Sequence, residues 1–169
     1  MNRKKFAMNY GAVLGLALSL LGIIFWNMNI NEQTSKVPSI LNNALIIMFL
    51  AFAIVKYRDE EMNGILTYKQ CLKLGTTISF FSSAVMSIYT FFYITYLNPE
   101  IITNSLELTE QTLLQSDPEI SDEMLEMQLQ FAAKFMQPHW MMIMTLLGGT
   151  FMGFLYSSVL SFFTKKSSN

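Results

Sequence analysis

The sequence is poor in charge, and four long stretches of it contain no Asp, Glu, Lys or Arg at all. Charged residues make up 14% of the chain, whereas roughly 25% is typical of soluble globular domains. The charge-free stretches are residues 6–26, 37–55, 74–97 and 140–164. A helix needs about 20 mostly apolar residues to cross the hydrocarbon core of a bilayer. Each stretch is close to that length, so the pattern predicts four membrane-spanning helices.

The lack of charge also excludes two other fold classes. A surface helix of a soluble bundle keeps a polar face toward water, but residues 45–55, "LIIMFLAFAIV", have no charged residue on any face. Strands of a membrane barrel are about ten residues long and alternate in polarity, and these stretches do neither. We therefore predict an all-α fold, an integral membrane four-helix bundle formed by a single domain, residues 1–169. Its spans are predicted at about residues 6–27, 37–57, 72–97 and 139–164.

Cysteine and histidine occur once each, as Cys71 and His139. One cysteine excludes a disulfide within the chain. In a four-span topology the two residues fall at opposite membrane faces, where they cannot form a Cys–His catalytic pair. The H-E-x-x-H, Walker and G-x-S-x-G motifs are missing as well. We therefore expect no catalytic residue, no cofactor, no metal site and no nucleic-acid partner, and we predict that the chain is not an enzyme.

Basic residues orient the predicted spans. Nine of the eleven lysines and arginines fall on one side of the membrane: Arg3, Lys4, Lys5, Lys56, Arg58, Lys69, Lys73, Lys165 and Lys166. Because Lys and Arg near span ends favour the cytoplasm, we predict a bacterial inner-membrane protein with both termini in the cytoplasm. The opening "MNRKK" also resembles a signal peptide, but the apolar run 6–26 is longer than the roughly 7–15 residues of a signal core. We interpret it as a retained first span.

The connection between the third and fourth spans is long and acidic. Residues 99–136 contain eight acidic residues and one basic residue. The motifs "NPE" at 98–100 and "DPE" at 117–119 each place a capping side chain, a proline and an acid in the order of a helix start. They predict helices at about 99–115 and 118–136, which form an extracytoplasmic amphipathic hairpin.

The second hairpin helix has an apolar face with helical spacing. Its members are Ile120, Met124, Met127, Phe131 and Phe135. Since Lys and Arg are scarce here, attraction to anionic lipid is not expected. We expect the apolar face to pack on the first hairpin helix and on the bundle, with a partner protein as the alternative.

Small residues recur at every fourth position in two of the spans. The first span has Ala7, Gly11, Gly15 and Ser19, and the fourth has Gly149, Gly153 and Ser157. Such stripes let helix backbones approach closely in lipid, so these residues are predicted to mediate helix packing. Contact within one chain is favoured over contact between protomers.

The short connection 56–73 concentrates charge between two apolar runs. One hypothesis makes it an interaction loop for a soluble partner or a lipid head group, using Tyr57, Arg58, Asp59, Glu60 and Gly64. The simpler interpretation is a solvated connector, in which Gly64 allows the turn and Lys69 and Lys73 anchor the start of span three at the interface.

Three motifs carry a resemblance to a known family. They are "KYRDEEMNGILTYKQCLKLG" between spans two and three, "YGAVLGLALSLLG" in span one, and "YITYLNPE" at the exit of span three. With this four-span layout the chain resembles the bacterial membrane-protein family catalogued as domain of unknown function 4199. The resemblance implies a small inner-membrane protein and no assigned activity, so no catalytic residue is carried over.

Composition and resemblance together predict a non-enzymatic structural or partner-binding membrane protein. Its expected partners are the lipid bilayer and either a protein or a second copy of the chain. The alternative is a small transporter or permeation subunit, for which the hydroxyl-rich third span would line a path. The lack of an ionisable Asp, Glu, Lys or Arg in the middle of any span counts against that alternative.

Overall fold

The computed structural model of the protein describes residues 2–30 and 35–166. These residues form six helices, and the described part of the chain contains no β-strand. The helices are α1 (Arg3–Asn27), α2 (Val37–Glu61), α3 (Tyr68–Phe92), α4 (Glu100–Ser116), α5 (Asp122–Phe135) and α6 (Pro138–Thr164). A π-helical turn, Tyr93–Leu97, continues α3. The all-α prediction is therefore confirmed.

Four of these helices are long and apolar enough to cross a membrane. The candidate spans are Arg3–Asn27, Val37–Glu61, Tyr68–Leu97 and Pro138–Thr164. Their outward faces are apolar too, since Leu20 and Phe151 are each 61% exposed. Large exposed apolar surfaces mark contacts with a membrane or a protein. On helices of this length and hydropathy they identify a multi-pass membrane protein.

The chain divides into two compact units, which are Met1–Met86 with Leu146–Asn169, and Ser87–Thr145. The first unit contains the core, which α1, α2, the following connection and the first part of α3 supply. The core residues are Phe6, Ala7, Leu14, Leu18, Leu50, Ala53, Ile54, Tyr57, Leu66, Cys71, Leu74 and Ile78. Because lipid is as apolar as such a core, fit between helices decides which side chains lie inside. The single-domain prediction stays a prediction.

In the second unit α4 and α5 form an antiparallel hairpin, and both helices start differently from the prediction. α5 begins at Asp122 rather than at residue 118, because Ser121 has extended backbone angles and its Oγ accepts the Met124 amide hydrogen at 3.4 Å. The predicted cap, Asp117, instead accepts the Glu119 amide in a local turn, a common use of Asp. At α4 the Asn98 side chain donates to the Tyr93 hydroxyl at 3.2 Å and does not cap the helix.

The face that α5 packs on α4 also differs from the prediction. Leu129 and Ala133 of α5, with Thr103 and Leu106 of α4, line the groove between the two helices. Three members of the predicted apolar face are exposed, namely Met124 (44%), Met127 (57%) and Phe131 (66%). We call these three residues the apolar ridge. For these three residues the expectation of packing within the chain is wrong, because α4 covers a neighbouring arc of α5.

Candidate functional site

The charged end of α2 is joined to the C-terminal end of α6 by one arginine. Arg58 donates from Nη1 to the Thr164 carbonyl oxygen at 2.9 Å. Its Nε and Nη2 donate to the two carboxylate oxygens of Asp59 at 2.7 and 3.2 Å. The last carbonyls of a helix have no partner within the helix, and a cation is favourable there. The positive charge of Arg58 is therefore already used within the chain.

The turn after α2 depends on backbone conformations that few residues adopt. Gly64 has φ +79°, and Asn63 before it has φ 50°. The Gly64 amide donates to the Arg58 carbonyl at 2.9 Å, which closes the end of α2. Leu66 and Lys166 then exchange two backbone hydrogen bonds of 2.9 Å each. The connection and the C-terminal tail are thus tied together side by side.

The start of α3 is closed by a capping arrangement that the sequence analysis missed. The Gln70 side-chain oxygen accepts the Thr67 amide hydrogen and the Thr67 hydroxyl hydrogen, each at 2.9 Å. The motif "TYKQ" carries the signal, since Thr followed three residues later by Gln is typical of a helix start. Cys71, one turn further on, is fully buried.

Two lysines of the first turns of α3 border a groove, which we call the basic groove. It has a volume of about 300 Å³ and is lined by Lys69, Leu72, Lys73, Thr76, Thr77 and Phe154. The hydroxyls of Thr76 and Thr77 donate to carbonyls one turn back, at 2.8 and 2.6 Å. The wall below the lysines is therefore mainly apolar.

Aromatic and hydroxyl contacts brace α3 against α6 close to this groove. The hydroxyls of Tyr68 and Ser158 are 2.9 Å apart. The rings of Tyr68 and Phe162 have centroids 4.8 Å apart, and Lys165 Nζ lies 5.8 Å from the Phe162 centroid. These contacts fix the distance between the two helices at their basic end.

The residues of the hypothesised interaction loop do not form one open patch. Tyr57 is buried, with its ring edge-on to Phe6 at 4.9 Å. Arg58 and Asp59 form an ion pair with each other. Lys56 Nζ lies 3.7 Å from Glu60 Oε1. Gly64 forms the turn. A binding role for these residues stays a prediction.

The small residues of α1 lie against α3. A Cβ at Gly11 would come within 2.6 Å of Phe81 Cβ, and one at Gly15 would come within 2.6 Å of Val85 Cβ. Ser19 donates to the Gly15 carbonyl at 2.8 Å, and its Oγ is 3.4 Å from Met86 Sδ. These contacts are within one chain.

The small residues of α6 meet a matching row on α3, and we call this contact the α3–α6 seam. Its pairs are Gly75 with Ser157, Ser79 with Gly153, and Ser83 with Gly149. Each serine side chain occupies the space where the opposite glycine would carry a Cβ. Among the described residues, the buried hydroxyls of Ser79 and Ser157 have no hydrogen-bond partner. Each hydroxyl oxygen lies where the opposite glycine would carry a Cβ.

Gly75 is a packing residue that the small-residue prediction does not include, although the sequence contains the signal for it. Gly75, Ser79 and Ser83 repeat the four-residue spacing noticed in spans one and four. The third span is also rich in hydroxyls, so its composition favours a polar path as readily as a packing stripe. No group of three His, Cys, Asp or Glu that could hold a metal occurs within residues 2–30 and 35–166.

Comparison with known proteins places the chain in a family. No curated protein and no solved structure matches the sequence. A family model described as a protein of unknown function, DUF4199, matches residues 9–166. The match includes the α3–α6 seam, the basic groove and the hairpin, and it confirms the resemblance noted from the motifs. The chain therefore belongs to the DUF4199 family of proteins of unknown function.

Proposed function

We propose that this protein is a non-enzymatic, structural and partner-binding protein of the bacterial inner membrane, with both termini in the cytoplasm. The α3–α6 seam is the observation that supports the proposal most. Ser79 and Ser83, which would line a polar path in a transporter, lie directly against Gly153 and Gly149. Close-packed interfaces of this kind hold one arrangement, because packed interiors resist continuous deformation.

A transporter or permeation subunit is the alternative, and cysteine accessibility separates the two. In a Cys71→Ser background, cysteines replace Ser79 or Ser83 one at a time, and a cysteine at the exposed Asn63 is the control. A structural protein should label with a small thiol reagent at position 63 alone. Labelling at position 79 or 83 at a rate comparable to position 63 would show that the seam opens to water, as an alternating transporter requires.

The partner surface that we propose is the apolar ridge of α5. Met124, Met127 and Phe131 are exposed, and the same helix has Glu123 in its first turn and Lys134 in its last turn. The surrounding connection, residues 99–136, carries eight acidic residues and one basic residue, so an apolar strip on it is complementary to a protein that presents an apolar centre with a basic rim. The occupant we propose is therefore a protein with lysines or arginines around its contact site.

Photo-crosslinking tests this surface in intact cells. A photoreactive amino acid at Met127 should capture one protein with a basic contact surface, and the yield should fall as salt screens the charges. The control is the same amino acid at Gln111, an exposed position on α4. Crosslinks to lipid, to a second copy of the chain, or to the same proteins from both positions would refute the proposed partner class.

The orientation is tested with the same cysteine-free background. Cys71 itself is unsuitable because it is fully buried. A membrane-impermeant maleimide should label a cysteine at Glu119 in sealed spheroplasts, and a cysteine at Asn63 after permeabilisation alone. The reverse result would invert the topology, and labelling of both from outside would contradict a third span.

A further inference from the structure

The basic groove has two charged groups that no carboxylate neutralises in the part of the chain that the structure describes. Within residues 2–30 and 35–166, no carboxylate forms an ion pair with Lys69 or Lys73. Lys56 and Arg58, at the end of α2, do have acidic partners. Lys69 and Lys73 are one helical turn apart and exposed, and like charges at this spacing repel each other. An anion placed between them would remove that repulsion.

The position of the groove along α3 determines what kind of anion can reach it. The charge-free stretch of span three begins at Leu74, directly after Lys73. The two ammonium groups therefore lie where the hydrocarbon core meets the head groups, whichever way the protein is oriented. A phosphate at this depth belongs to a lipid of the adjoining leaflet.

The rest of the groove is suited to an acyl chain. Leu72 and Phe154 supply apolar surface from two different helices. The hydroxyl hydrogens of Thr76 and Thr77 are engaged by their own helix, so these residues add little polarity. One end of the groove is cationic, and the wall that continues into the membrane is apolar.

We propose that the basic groove is a binding site for one anionic phospholipid. Its phosphate lies between the ammonium groups of Lys69 and Lys73, and one acyl chain lies along Leu72 and Phe154. The groove is preformed, because the Tyr68 contacts with Ser158 and Phe162 and the Leu66–Lys166 hydrogen bonds hold α3 and α6 together. Basic pockets between membrane helices are a general means of binding anionic head groups.

Native mass spectrometry of the purified full chain in detergent tests the site. Wild-type protein is titrated with phosphatidylglycerol and, separately, with phosphatidylcholine. We expect one tightly retained phosphatidylglycerol and weaker retention of phosphatidylcholine. A variant with Lys69→Gln and Lys73→Gln should bind phosphatidylglycerol about tenfold more weakly, because two lysine contacts are lost. Equal retention of both lipids by wild type would overturn the proposal.

The matched control removes the same charge elsewhere on the same side of the membrane. Lys4→Gln with Lys5→Gln deletes two exposed cations at the N-terminus and should change binding by less than about twofold. If this variant loses as much affinity as the groove variant, the lysines act through bulk charge, and the site is refuted. Thermal melting of both variants establishes that they fold.

Two further arms separate a lipid from free phosphate. Phe154→Ala keeps both lysines but removes apolar wall, so it should weaken phosphatidylglycerol binding several-fold. Inorganic phosphate added at millimolar concentration should not displace the lipid. Displacement by phosphate, or an unchanged affinity in Phe154→Ala, would show that the groove binds phosphate alone and would overturn the lipid assignment.

Discussion

The α3–α6 seam and the α4–α5 hairpin are both contacts between antiparallel helices, yet they are built from different residues. The seam consists of glycine and serine, and Ser157 and Gly153 are buried in it. The hairpin uses larger side chains such as Leu106 and Leu129, and neither of its helices has a buried residue. Hydrophobicity cannot drive helices together in lipid, so close approach of backbones takes its place. Outside lipid, shielding an apolar face from water is sufficient.

The largest expected effect comes from breaking the seam. Gly153→Leu places a side chain where Ser79 already lies, and we expect the free energy of unfolding to fall by about 3 kcal/mol. Gly148→Leu is the control, because a Cβ there meets nothing within 4 Å. Gly15→Leu should behave like Gly153→Leu, since Val85 lies in the way. Thermal melting in detergent measures all three, and equal melting of the Gly148 and Gly153 variants would contradict the seam.

The hairpin should unfold locally while the four spans stay folded. Met127→Pro removes a helix hydrogen bond in the middle of α5 and costs about 3 kcal/mol locally. Limited proteolysis within residues 118–136 should accelerate strongly, while the same site in Met127→Ala should stay protected. Proteolysis at the wild-type rate in the proline variant would mean that this segment does not depend on α5 being helical.

A smaller effect is expected where Arg58 joins the end of α2 to the end of α6. Arg58→Lys keeps the charge but cannot donate to both Asp59 and the Thr164 carbonyl in the same fork geometry. We expect about 1.5 kcal/mol of lost stability, measured by detergent melting. Lys56→Gln, which removes the more exposed Lys56–Glu60 pair, should change melting less. The opposite ranking would show that the bond to Thr164 contributes nothing.

The smallest effect distinguishes the two apolar arcs of α5. Leu129→Ser alters the arc that faces α4 and should loosen the hairpin by about 1 kcal/mol. Phe131→Ser alters the exposed ridge and should change hairpin stability by less than about 0.5 kcal/mol. Protease susceptibility of residues 99–136 measures both. If Phe131→Ser were the more damaging, the ridge would be packed within the chain.

Local chemistry made much of this fold predictable. The four spans follow from the missing charges, because a bilayer requires about 20 apolar residues in a row wherever they occur. The stripe of Gly11 and Gly15 could also be predicted, because the spacing of residues along one helix does not depend on the neighbouring helix. The start of α5 was predicted wrongly, because "DPE" and Ser121 both offer caps, and the backbone angles at Ser121 decided between them.

The basic groove shows the limit of sequence reasoning about the site. The sequence predicts Lys69 and Lys73 to be interfacial anchors, but Phe154, which forms a wall of the groove, lies far away in the sequence and on another helix. The same holds for Arg58, whose charge seemed free for a ligand until its bond to the Thr164 carbonyl became visible. Which charges are paired depends on which helix ends meet.

The sequence by itself therefore determined the membrane class, the number of spans and the family, since hydropathy and motifs are properties of continuous segments. The tertiary structure alone decided which stripes meet, which arc of α5 is covered, and which lysines have an acidic partner among the described residues. The physical reason is that lipid surrounds every span with the same apolar environment, so hydrophobicity does not mark the inner face of a helix. Shape complementarity between distant segments, such as Ser79 against Gly153, selects the pairing, and it exists only once the helices are packed.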